Sequence, residues 1–211
     1  MKRLIKLILI SCMFFLCAIP VSAQSSGLSE EEHVIRGFES LGINAEKAAE
    51  LARRYLQGEV LDCMKEEYSA IQPIEKISES GLYKEVYEYP DGSRKVVSIT
   101  AGITQYISGG TYNSGGNWYT WNNALVYGSN GVVTISYRTN MAGSAYDGHL
   151  TSISNLSYSG VSLISFAISS SNATSGNPAY GGFKGISAAN TYCSLFVYVP
   201  IGSSPYAVFS N

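Results

Sequence analysis

Tyr83-Lys84-Glu85-Val86-Tyr87-Glu88-Tyr89-Pro90-Asp91-Gly92-Ser93-Arg94-Lys95-Val96-Val97-Ser98-Ile99-Thr100 is the stretch on which the reading of the fold turns. Before it, apolar residues recur at helical spacing; from Tyr83 onward they alternate. Two alternating runs flank Pro90-Asp91-Gly92-Ser93. There proline presets one turn dihedral and glycine admits a positive φ, so the stretch reads as a β-hairpin.

Working toward the C-terminus, short alternating runs predict strands near 105–112, 117–127, 131–139, 150–158, 161–169, 179–186, 191–199 and 205–210. Turn signals such as Asn113-Ser114-Gly115-Gly116, Ser129-Asn130-Gly131 and Ser175-Gly176-Asn177-Pro178 separate them. In the run 131–139, Val133, Ile135 and Tyr137 share one face while Val132, Thr134, Ser136 and Arg138 share the other. Phe166 is likewise expected to point inward. No repeat of fixed period is present, which argues against a propeller or solenoid. The fold class is therefore mainly β: an antiparallel β-sandwich, jelly-roll-like or related, occupying 81–211.

Working toward the N-terminus, 24–80 reads as a helical segment and a connector. Ser29 with Glu32 forms a capping box, Val34, Phe38 and Leu41 fall on one face, and Gly42 ends the run. Asn44 is placed to cap a second helix whose apolar stripe is Ala48, Leu51, Ala52, Tyr55 and Leu56, ending at Gly58. Helices this short need a docking surface. Glu59 to Ser80 carries Pro73 and mixed charge and reads as a connector.

Residues 1–23 read as a signal peptide: a basic start at Lys2, Arg3 and Lys6, an apolar core over Leu7 to Ile19, and Val21-Ser22-Ala23 before Gln24. The expected product is secreted, with lipid anchoring at Cys12 as the alternative. The apolar core is too short to span a bilayer, which needs about 20 residues. Losing the leader's three basic residues takes the formal charge from −2 to about −5. The acidity sits in Ser25 to Thr100, because from Ala101 onward only Arg138, Asp147 and Lys184 are charged. No basic patch is present to neutralise phosphates, so nucleic acid is not an expected partner.

With Cys12 and Cys17 in the leader, Cys63 and Cys193 remain. A disulfide between them is compatible with an oxidising exterior. Burial of Cys193 as a small hydrophobe beside Leu195, Val197 and Val199 is the competing reading.

The order of leader, helical pair, Leu61-Asp62-Cys63-Met64-Lys65, Tyr89-Pro90-Asp91-Gly92-Ser93 and a Tyr/Ser/Gly-rich β region with Asn177-Pro178-Ala179-Tyr180 resembles an uncharacterised family of secreted proteins from Gram-positive bacteria. The resemblance spans nearly all of the exported chain and implies its architecture and export. It implies no activity and no functional residue.

Groups able to titrate, attack or bind metal are few. Gly185-Ile186-Ser187-Ala188-Ala189 has the outline of a nucleophile elbow but lies in β and turn context without a helix behind it. Cys63 with His149 would make a thiol and its base only if the fold brought them together. Asp147 and His149 offer two ligands where structural zinc takes four, so neither a metal nor another cofactor is expected.

The strongest candidate for function is aromatic: Trp118, Tyr119 and Trp121, with Asn122 and Asn123 beside them. Rings stack on the C–H faces of sugars, and amides bond hydroxyls without charge. Alternation places Tyr119 and Trp121 on one face and Trp118 on the other, so one set is expected in the core. The resulting expectation is a secreted, non-catalytic binding or structural protein recognising a neutral glycan or a surface protein. The alternative is a secreted effector or bacteriocin-like protein with an acidic helical prosegment, and a hydrolase comes third.

Overall fold

The computed structural model describes residues 28–101, 110–188 and 190–210. The expected signal peptide with Cys12, and most of the strand expected at 105–112, lie outside the described residues.

Two helices open the described chain, α1 (Glu30–Ser40) and α2 (Ala45–Leu56). Ser29 and Glu32 form the capping box in both directions, and the Asn44 side chain accepts from the Lys47 backbone N–H at 2.9 Å. Gly42, at φ 78°, turns the chain out of α1. Of the stripe expected on α2, Ala48, Leu51 and Ala52 are buried, Tyr55 is half-buried and Leu56 is exposed. Leu56 stands in the last turn, beyond the reach of the packed surface.

Eleven strands follow: β1 (Glu75–Glu79), β2 (Leu82–Glu88), β3 (Arg94–Thr100), β4 (Thr111–Gly115), β5 (Trp118–Ser129), β6 (Thr134–Ser144), β7 (Gly148–Ser159), β8 (Val161–Ser170), β9 (Ala179–Ser187), β10 (Tyr192–Val199) and β11 (Tyr206–Ser210). The connector, in which no strand is expected from sequence, contains β1, which pairs Glu75 with Val86 through Glu79 with Leu82. Its Lys76 and Ser78 alternate with Glu75, Ile77 and Glu79, a polar run that carried no apolar signal.

All strand pairings among the described residues are antiparallel. One sheet runs β1-β2-β3-β5-β6-β7, with β4 beside the first half of β5; the other runs β11-β10-β9-β8. The mainly β, antiparallel sandwich is thus the fold. Its strand order is a meander folded into two layers, the related form rather than a jelly roll with crossing connections. Gly160, between β7 and β8, carries the chain from one sheet to the other.

The core between the sheets holds Val133, Ile135 and Tyr137 on the predicted inward face, with Phe183, Leu195 and Val197 opposite. Phe166 packs against this core and meets Tyr137 edge-on at 5.4 Å. The buried Tyr137 hydroxyl lies 3.3 Å from the Gly181 carbonyl and 3.4 Å from that of Leu195, so its one polar atom is satisfied by the facing sheet.

A second cluster joins the helices to the sandwich: Val34, Phe38, Leu51, Leu61 and Cys63 pack with Tyr89, and Val132 lies against them. Closeness here is set by glycines. A Cβ on Gly37 would fall 1.9 Å from the Gly131 carbonyl oxygen, and one on Gly131 (φ 90°) would fall 2.3 Å from the Phe38 ring. Arg94 Nη1 donates to the Gly42 carbonyl at 3.0 Å, tying the end of α1 to the β2–β3 hairpin.

Cys63 and Cys193 are buried thiols in different clusters, and no disulfide joins them. The bond considered from sequence is therefore not formed. No helix among the described residues is long and apolar enough to cross a membrane.

Candidate functional site

Seven strands cannot be covered by four. The inner faces of β1, β2 and β3 extend past β11, the edge of the smaller sheet, and leave a cleft of about 1300 Å³ between the layers. Its floor is the odd-numbered face of the hairpin quoted at the outset: Tyr83, Glu85, Tyr87 and Tyr89 on β2 and its turn, Lys95 and Val97 on β3. Tyr206 and the edge of β11 form the wall. Residues 63–73, with Tyr68, close one end.

Glu85 is the buried carboxylate of this floor. Lys76 Nζ stands 2.7 Å from one oxygen and the Tyr87 hydroxyl donates to the other at 2.6 Å. Burial works to raise its pKa, yet the hydrogen bonds from Lys76, Tyr87 and Tyr83 and the Lys76 charge outweigh that and hold it below the ordinary carboxylate range. Burial, followed by the Glu85 charge and hydrogen bond, pushes Tyr83 and Tyr87 in the opposite direction, above the usual phenol value. The phenols therefore stay neutral and the carboxylate charged. Lys95 lies 4.7 Å over the Tyr87 ring and 6.0 Å from that of Tyr89, its pKa lowered chiefly by burial. Cys63, at the closed end, is pushed up to about 12 by burial, so it is a thiol and not a thiolate at neutral pH.

The groove continues past Ser203, Ser204 and Pro205 to the β4–β5 hairpin, through spaces of about 550 and 390 Å³. Here it meets the aromatic cluster anticipated from sequence, which the fold divides. Trp118 is 51 % exposed and lies at the outer end of the groove. Tyr119 is half-buried, and its hydroxyl donates to the Ser203 carbonyl at 3.2 Å. Trp121 is only 3 % exposed and meets Tyr112 edge-on at 5.4 Å.

Asn122 and Asn123 do not converge with these rings. They sit at the bulge of β5, where Asn123 takes φ 52°, its N–H donates to the Asn140 side chain at 2.5 Å and its carbonyl accepts from Arg138. A bulge resets the alternation, so the two amides face away from the groove.

Tyr180, Tyr198 and Tyr206 form a second aromatic row, in register across the outer face of the smaller sheet. Their rings stack at 5.7 and 5.1 Å, with the Tyr198 ring between the other two.

The candidate reactive groups are not assembled into a catalytic set. Ser187 Oγ accepts from the Thr191 N–H at 3.2 Å and supports the β9–β10 turn. His149 has Asn172 at 2.7 Å and Asp147 at 3.5 Å as partners, while Cys63 packs at the other cluster. Ser144 donates to Asp147, not to His149, so this trio lacks the serine–imidazole bond that activates a nucleophile. Among the described residues no three His, Cys, Asp or Glu side chains are grouped to hold a metal ion.

The floor of the cleft was legible in part. Strict alternation places Glu85 on the same face as Tyr83, Tyr87 and Tyr89, and a carboxylate on the face that should be apolar is itself a signal. Lys76 belongs to a strand that sequence did not disclose.

No protein-family model and no curated protein matches the chain. Among solved structures, a hypothetical protein from Listeria monocytogenes EGD-e is similar at 20% identity and a TM-score of 0.33, covering 69% of this chain and 98% of that one.

Proposed function

We propose that this is an exported, non-catalytic binding protein that recognises glycan of a cell envelope or cell surface, and that the cleft between its layers is the recognition site. The observation that carries the reading is a continuous groove along the open edge of the sandwich, floored by tyrosines, edged by serines and the backbone of β11, with Trp118 at its mouth. Such a lining suits sugars, which present apolar C–H faces to rings and many hydroxyls to polar groups. Export rests on the character of residues 1–23, and kinship with secreted proteins of Gram-positive bacteria rests on the resemblance carried by the order of leader, helical pair, the motifs around Asp62 and Asp91 and the β region with Asn177-Pro178-Ala179-Tyr180.

A separable helical prosegment is the weaker reading, because Phe38, Leu51 and Leu61 share one packed cluster with Tyr89 of the sandwich. The deciding experiment is retention of the full exported chain on purified bacterial cell-wall polysaccharide, with Tyr206→Ala and Trp118→Ala compared. Retention that falls in both variants at unchanged melting temperature supports the cleft; absence of retention refutes the glycan reading.

A further inference from the structure

We infer that the glycan in this cleft carries an anionic group, a carboxylate or a phosphate, and that Lys95 receives it. This rests on the glycan reading and narrows it.

Three lysines line the cleft, and two are committed. Lys65 Nζ lies 2.6 Å from Asp62 and Lys76 Nζ lies 2.7 Å from Glu85. Among the described residues Lys95 has no carboxylate within ion-pair distance and no hydrogen-bond acceptor; its neighbours are the faces of Tyr87 and Tyr89, and the Glu85 charge and Cys63 act on it without a direct contact. An ammonium that has surrendered part of its hydration with no counter-ion in direct contact is costly, and the more distant Glu85 charge offsets only part of that. Ring faces offset only some of that cost. An oxyanion entering the cleft would supply the missing partner.

Glu85 sets the second requirement. With Lys76, Tyr87 and Tyr83 already donating to it, the charged carboxylate keeps acceptor capacity for a hydroxyl hydrogen and repels an anion placed against it. The floor thus presents one site for an oxyanion and, diagonally across β2 and β3, one for hydroxyls. A sugar bearing a single acidic group answers both. The neutral ligand inferred from the charge-poor composition of 101–211 is replaced here, because the cleft is floored by the hairpin that precedes that region.

The test compares three forms of one bacterial cell-wall polysaccharide: native, carboxyl-reduced, and dephosphorylated. Binding is measured at low and high salt for the wild type, Lys95→Met and Lys84→Met. Lys95→Met keeps the alkyl stem and removes the charge; Lys84 pairs with Glu75 away from the cleft and serves as the charge-matched control. The wild type and Lys84→Met are expected to bind native polysaccharide about tenfold more tightly than the form stripped of its anion, a difference of about 1.4 kcal/mol. Lys95→Met is expected to bind both forms alike, with the salt dependence gone.

Loss on carboxyl reduction identifies the group as a carboxylate, and loss on dephosphorylation as a phosphate. Equal binding of all three forms by wild type and Lys95→Met overturns the inference and leaves the glycan reading standing. A Lys95→Met that melts early and loses every form equally assigns Lys95 a structural role and also overturns it. Absence of wild-type binding to any form removes both.

Discussion

Asp62 and Asp91 exchange hydrogen bonds: the Asp91 carboxylate accepts from the Asp62 backbone N–H at 2.9 Å, and the Asp62 carboxylate from the Asp91 N–H at 3.0 Å. The segments Leu61-Asp62-Cys63-Met64-Lys65 and Tyr89-Pro90-Asp91-Gly92-Ser93 thus meet in space. Asp91 also accepts from the Ser93 N–H at 2.9 Å, and Ser93 Oγ accepts from the Cys63 N–H at 3.1 Å. This clasp holds the segment that closes the cleft against the β2–β3 turn.

Breaking it should be expensive. Asp91→Ala removes acceptors from two backbone donors, and bonds to a charged acceptor are worth about 1.5–3 kcal/mol each before coupling is considered. A loss of about 3 kcal/mol in denaturant unfolding is expected, with a non-additive cycle when Asp62→Ala is combined with it.

The same carboxylate sets an acid limit. Burial raises the Asp91 pKa, but the Ser93 side chain, the backbone donors and the Arg54 charge prevail and leave it below the ordinary aspartate value. A carboxylate whose folded pKa is depressed contributes stability above its unfolded pKa, near 4, and loses it as pH falls through the folded value. Glu85 acts in the same direction. Melting temperature should therefore drop below about pH 4, and less steeply in Asp91→Asn.

The helices should be inseparable from the sandwich. Gly131→Ala places a methyl against the Phe38 ring and strains a positive φ, for an expected cost of about 3 kcal/mol. Limited proteolysis should then release the helical pair from the variant and not from the wild type.

Aromatic substitutions should split by burial. Trp121→Ala opens the core and is expected to cost about 3–5 kcal/mol. Trp118→Ala, half exposed, should change stability by less than about 1 kcal/mol and weaken polysaccharide retention instead. Thermal melting and the retention assay together separate the two.

The thiols should be silent. Cys63 and Cys193 are buried, and burial raises the pKa of both, so a thiol reagent should react only after unfolding. Reductant should leave the melting temperature unchanged.

Sequence by itself determined most of the elements, β1 excepted. The caps at Ser29 and Asn44, the hairpin about Pro90-Asp91-Gly92-Ser93, and the inward face of Val133, Ile135 and Tyr137 are local matters of periodicity and turn chemistry, and each stands where it was read. Only tertiary structure decided the site. That Trp121 is buried and Trp118 exposed depends on which layer covers which face of β5; that Asn122 and Asn123 turn away depends on a bulge that alternation cannot register. The cleft exists because seven strands meet four, leaving Glu85, Tyr87 and Lys95 on an uncovered stretch of an inner face, and the number of strands in each layer is a property of pairing between distant segments.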